Sequence, residues 1–351
     1  MEELKAYKQQ QAFKVENLET KLVEAEQKIY RLENRCMILE SVSNPLATLS
    51  RKETVIGFGE IRLNLNESIF VLGGYDGVLW SSALHSFSPS RDVLRSHKSM
   101  SVDRAHASVA KLDGQIYVFG GGTDTVWYDT VESYNAVDDQ WTLCPSLNLK
   151  KGCLAAAALN GKLYSMGGGN GVDCFSDVEM FDPNVGRWVY ARSMLEKRFA
   201  LASVECRGSL YAVGGYDGNE YLKSAEKFDP RENSWTKISS MNTKRGGHSL
   251  IVLNEKLYAI GGHDGEKMVP IVEIYEPRVG TWMVGEPMNQ GRGFLAAALV
   301  KDTIYAIGGL KTGSDIVEMV ECYKEGRGWQ ATNLKSVGKK CYASAIVLGD
   351  D

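Results

Sequence analysis

The chain has 351 residues, 44% of them hydrophobic and 24% charged, with a formal net charge of -4. That length exceeds one small core and suits two ordinary domains or one large repeat array, while the mild negative balance argues against generic attraction to nucleic acid or an anionic membrane. Seven scattered cysteines form no CxxC pair, and the opening MEELKAYKQQ is charged rather than apolar. Both features fit a reducing, intracellular compartment, cytoplasmic with the nucleus also open to it, and no secretion signal.

Residues 1–40 predict a coiled-coil helix. Val15, Leu22, Ile29 and Cys36 take a positions, and Leu18, Ala25, Leu32 and Leu39 take d positions. Every g position is basic (Lys14, Lys21, Lys28, Arg35) and every e position acidic (Glu19, Glu26, Glu33, Glu40). In a parallel pair these charges attract across the seam; in an antiparallel pair like faces like. The expectation is a homodimer through these eight apolar positions, against the alternative of a lone amphipathic helix lying on the rest of the chain or on a partner. Residues 41–67, with Pro45 and several hydroxyl side chains, read as a linker.

From residue 68 to 351 the sequence repeats. The first glycine of a pair stands at Gly73, Gly120, Gly167, Gly214, Gly261 and Gly308, each 47 residues after the last. Trp141, Trp188, Trp235, Trp282 and Trp329 keep the same clock, with Leu94 in the first slot. A basic column runs Arg104, Lys151, Arg198, Arg245, Arg292 and Lys339, and an aromatic one runs Phe87, Tyr134, Phe181, Phe228, Tyr275 and, displaced by one, Tyr323. Within one unit, ALASVE, SLYAVGG, KSAEKFD and SWTKI read as four short strands separated by turns. Four antiparallel strands per period of this length describe one propeller blade.

The glycine pairs need no ligand in such a blade. GGGTDT and GGGNGVD neither open a helix nor end in GK[ST], so phosphate binding is set aside in favour of close backbone packing. The C-terminal KKCYASAIVL repeats only the first-strand part of a unit. Residues 341–348 are therefore expected to become the inner strand of blade one, which begins near Ser68, and so to close the ring.

These columns resemble the kelch repeat over residues 68 to about 348. The resemblance implies an all-β, six-bladed β-propeller closed by a C-terminal strand and preceded here by the coiled-coil helix. The units DTVESYNAVDDQW and VECYKEGRGWQ, behind a coil, are most similar to plant kelch proteins carrying a DCD domain, and through them to the influenza NS1-binding class. In that family the DCD domain precedes the coil; this chain starts at the coil, and its first 60 residues carry no BTB or F-box sequence.

None of the five histidines sits in an HxH, HExxH or Cys/His cluster, and no ExxxDxxxH motif occurs. The chain is expected to be no enzyme, with no cofactor, metal or catalytic residue. The expected function is a protein-interaction scaffold that binds a protein or acidic peptide. The alternatives are a substrate receptor of a ubiquitin ligase and a propeller metalloenzyme. Loops after the glycine pairs supply the candidate anchors Tyr75, Trp80, Trp127, Tyr216, Tyr221 and His263, large rings of the kind that dominate interfaces. Each could instead pack under its own loop, Trp80 and Trp127 especially. Arg104, Arg198, Arg245 and Arg292 are candidates for a positive ring that takes carboxylates; a structural bridge to the repeated Glu132, Glu179, Glu226, Glu273 and Glu321 is the favoured role for that column.

Overall fold

The computed structural model describes residues 67–124 and 126–349. The chain divides into two units, Met1–Arg62 and Leu63–Asp351, and the described residues belong to the second. The expected coiled coil, its dimer seam from Val15 to Leu39, and nearly all of the linker lie outside the described residues.

Among the described residues, 24 strands form six four-stranded antiparallel sheets. Blade four shows the local logic. Strand β12 (Ala202–Cys206) is innermost, followed by β13 (Ser209–Val213), β14 (Ala225–Asp229) and β15 (Ser234–Ile238). The inner strand carries small side chains because six such strands crowd one axis. The second strand is buried along its whole length, as expected where both faces of the sheet are covered by neighbouring blades. On the outer pair, Phe228 stands directly opposite Trp235 with ring centroids 5.3 Å apart.

The core lies between blades. Tyr164, Met166 and Val178 of blade three pack in one buried cluster with Leu210, Phe228 and Trp235 of blade four. The indole column also stitches the ring through hydrogen bonds. Trp188 Nε1 donates to Pro145 O, and Trp235 Nε1 to Arg192 O, each at 2.8 Å, so each outer strand grips the chain leaving the preceding blade. The displaced Tyr323 still faces Trp329, because one residue gained after the glycine pair is lost again at the following turn.

Closure follows the expected route. Strand β24 (Ser344–Val347) pairs with β1 (Ile69–Leu72), which continues into β2 (Leu84–Ser88) and β3 (Val93–His97). The register sets Ile69 against Val347 and Leu72 against Ser344. Blade one therefore joins the two ends of the described chain.

Candidate functional site

The glycine pair and the basic column form one device. At Gly214, φ is +60°, and a Cβ there would sit 2.4 Å from the carbonyl oxygen of Arg245, so a side chain is excluded twice over. The next glycine, Gly215, donates its N–H to that same oxygen at 2.8 Å. Meanwhile the Arg245 side chain turns into the following blade. Its Nη1 donates to Gly261 O (2.9 Å) and Ile271 O (2.8 Å), and its Nη2 to Glu273 Oε1 (2.7 Å). Glu273 Oε2 in turn accepts from the Asn242 N–H at 2.6 Å. One residue thus ties two blades together, by its backbone on one side and its side chain on the other.

Arg104, Arg198, Arg245 and Arg292 are all buried and paired in this way, with Glu132, Glu226, Glu273 and Glu321 respectively. Lys151 pairs with Glu179 at 2.9 Å. The favoured bridging role therefore stands, and the candidate positive ring of Arg104, Arg198, Arg245 and Arg292 is corrected: the four guanidinium groups are walled off from solvent, so none of them can meet an acidic peptide. The last member of the column also shifts. Lys340, not Lys339, supplies the carbonyl that receives Gly309 N–H at 2.8 Å, because the loop into blade one is one residue longer.

Around the axis, on the face of the post-glycine loops, lies a ring that the sequence reading missed. Residues His106, Cys153, Ala200, Gly247, Phe294 and Tyr342 each have φ between 51° and 62°. Their backbones form a closed cycle of hydrogen bonds. Cys153 N–H donates to His106 O, Ala200 to Cys153, Gly247 to Ala200, Phe294 to Gly247, Tyr342 to Phe294 and His106 to Tyr342, at 2.6–3.1 Å. The only sequence signal is position, two residues after the basic column in five units and three after Lys339 in the last.

The ring is lopsided. Cys153, Ala200 and Gly247 leave one side open, while His106, Phe294 and Tyr342 build an aromatic wall on the other. His106 and Tyr342 have centroids 4.1 Å apart, Phe294 and Tyr342 4.9 Å, and both His106 and Tyr342 lie about 6 Å from Trp80. The six residues of the cycle line a cavity of about 90 Å³ at the axial mouth. Below it a second cavity of about 200 Å³ runs between the inner strands, lined by alanine, serine and leucine with His248.

Cys153 Sγ lies 3.2 Å from His106 Nδ1. Burial pushes the thiol up and holds the imidazole down at about 4, so at neutral pH a protonated thiol lies against a neutral ring. That is the opposite of the thiolate–imidazolium state a cysteine nucleophile uses. Among the described residues, no three His, Cys, Asp or Glu side chains converge as metal ligands.

The proposed anchors fall into two groups. Tyr75 stacks on Trp80 at 4.7 Å, and Trp80 and Trp127 flank His106. Tyr216, Tyr221 and His263 form a second row with centroids 5.2 and 5.1 Å apart. Trp80, Trp127 and Tyr221 also serve as seams between loops. Trp80 Nε1 donates to Asp124 Oδ2 at 3.0 Å, Trp127 lies over Gly152 and Gly171 of blade three, and Tyr221 lies against Gly246 and Gly265. Their outer faces remain half-exposed.

A family model described as the KLHDC2/KLHL20/DRC7 Kelch-repeats domain matches residues 155–347, and a Kelch motif matches residues 103–148. The first covers more than half of the chain, so the chain belongs to the kelch-repeat family, whose propellers commonly act as protein-interaction modules. Among solved structures, "Structure of YjhT" is similar in fold, with a TM-score of 0.64 at 17% identity over 75% of this chain and 97% of that one. No curated protein matches the chain.

Proposed function

We propose that this protein is a non-enzymatic interaction scaffold whose loop face holds a protein partner at the axial mouth. One observation carries the reading: the rings of His106, Phe294 and Tyr342 stand half-exposed on a backbone cycle that closes without them. Ala200 and Gly247 occupy the same cycle, so the fold does not require aromatic side chains there. Large, half-exposed rings on a rigid frame are what interface anchors are made of. The buried thiols, Cys153 at the mouth among them, suit a reducing compartment. In the same proposal residues 15–39 pair two copies in parallel, which would let both propellers engage a multivalent partner with avidity.

The test is affinity capture by the full chain, comparing wild type with Phe294→Gly and Tyr342→Ala. Specific partners should be lost from both variants while melting temperatures hold. An unchanged capture profile would remove this face from the function. Light scattering of the full chain and of a Leu22→Asp/Ile29→Asp variant checks the dimer: the wild type should show twice the monomer mass and the variant only the monomer.

A further inference from the structure

The burial of the arginine column leaves a different charge on the loop face. Every post-glycine tip carries an aspartate: Asp76, Asp124, Asp173, Asp217, Asp264 and Asp315. Several of these form local turns. Asp76 Oδ1, for example, accepts the N–H groups of Val78 and Leu79 at 2.8 Å. Asp124 is different, because Trp80 Nε1 holds its Oδ2 beside the aromatic wall of the mouth.

The neighbouring cations are unevenly placed. Exposed Lys150, Lys197 and Lys244 lead into blades three, four and five, on the small-residue side of the ring. Of the corresponding positions leading into blades two, six and one, Asp103 and Gly291 carry no cation, and Lys339, also exposed, is the one lysine among them. Lys340 turns inward towards Gly73 O, with Asp76 close to its charge. His106 is neutral at physiological pH because burial lowers its pKa, so it adds no positive charge to the wall. On the tips that carry Trp80 and Trp127, Val78 and Val126 are 67% and 47% exposed.

We propose that the aromatic half of the axial mouth receives a lysine or arginine side chain from a basic segment of the protein partner. The inference rests on the loop-face reading above and gives it a chemistry opposite to that of the expected acidic peptide. A cation over the faces of Tyr342, Phe294 and Trp80 is attracted by their ring quadrupoles, and Asp124 supplies the counter-charge at the edge. A methylene stem would lie along Val78 and Val126, as long cationic side chains cover apolar surface while their heads stay polar. The mouth, at about 90 Å³, has room for one such head and not for a folded element.

The experiment pans a phage-displayed library of random dodecapeptides on the full chain, then titrates the enriched peptides in solution at fixed ionic strength. Enriched sequences should carry a lysine or arginine. Its replacement by norleucine should weaken binding roughly tenfold, between the values for an exposed and a fully desolvated cation over aromatic rings, and replacement by glutamate should abolish it. Asp124→Asn, which can still accept from Trp80, and Tyr342→Ala should each weaken binding by a similar factor at unchanged melting temperature. Acidic or neutral peptides that still depend on Tyr342 and Phe294 would overturn the charge assignment and leave the face standing. Peptides bound equally well by Phe294→Gly and Tyr342→Ala would overturn both, and no enrichment over bare support would overturn the inference.

Discussion

Replacing Glu273 by leucine should be among the most damaging single changes in the propeller. Both partners of its ion pair are fully buried. Glu273 Oε1 accepts from Arg245 Nη2 (2.7 Å) and Thr243 N (3.0 Å), and Oε2 from the backbone N and side-chain Nδ2 of Asn242 (2.6 and 2.9 Å). Leucine fills the space but answers none of these donors. Arg245 cannot leave, because Gly261 O and Ile271 O still hold its Nη1. A buried charge deprived of its partner costs about 3–5 kcal/mol, and the two orphaned backbone N–H groups of Asn242 and Thr243 add about 1 kcal/mol each. The sum, about 5–7 kcal/mol, rivals the whole stability of an ordinary domain, about 5–15 kcal/mol.

Urea unfolding followed by tryptophan fluorescence measures that loss, and calorimetry should show the melting point falling by about 10–20 °C for a protein of this size. The diagnostic partner is Arg245→Met/Glu273→Leu, which removes both charges together and should recover most of the loss. A single variant costing under about 1 kcal/mol, or a double variant no better than the single, would refute the view that these pairs act as buried rivets.

Blade one lacks the rivet: His85 stands in the glutamate column beside Lys340, and its Nδ1 has no partner. His85→Glu should therefore raise the melting temperature by several degrees; a fall would show that the blade has adapted to the imidazole. His248 occupies a position held by leucine at 154, 201 and 295, with neither ring nitrogen hydrogen-bonded and Arg245 and Arg198 close by. His248→Leu should stabilise by about 1–2 kcal/mol, the cost of an unsatisfied buried group, measured by chemical denaturation. Burial holds His85 and His106 at about 4, below the usual 6.5, so between those values the unfolded chain binds more protons and stability falls as pH falls. By pH 5 each half-exposed ring should contribute about 1 kcal/mol of that loss after solvent screening, and a melting temperature flat from pH 6.5 to 5 would contradict it. Deleting residues after Gly338 removes β24 and with it the closed edge of blade one, and size-exclusion chromatography should show aggregate rather than a folded monomer.

The fold was readable because its determinants are chemical identities that recur. Glycine at Gly73 through Gly308 and indole from Trp141 through Trp329 report the backbone and the wedge directly. The arginine column read two ways, as a surface ring or as a bridge to the repeated glutamates, and the bridge is what forms, since charged residues are seldom fully buried unless paired. The glutamates that pair it lie 28 residues downstream, a spacing that made the contact legible because both columns recur together. The mouth, by contrast, was illegible. His106, Cys153, Ala200, Gly247, Phe294 and Tyr342 share no chemistry at all, only a backbone angle.

That difference separates what the ring must keep from what it can vary. Where a side chain carries the fold, as in the Arg245–Glu273 pair, the column admits few residue types, and a substitution is felt across two blades. Where the backbone alone carries it, as in the hydrogen-bonded cycle at the mouth, histidine, cysteine, alanine, glycine, phenylalanine and tyrosine all serve. A partner can read only positions that differ from blade to blade, because a six-fold symmetric surface would offer six equivalent registers. The cycle supplies six backbone-fixed positions with six different side chains, so it can gain or lose a ligand without refolding, and Phe294→Gly should silence binding in a propeller that melts where the wild type does.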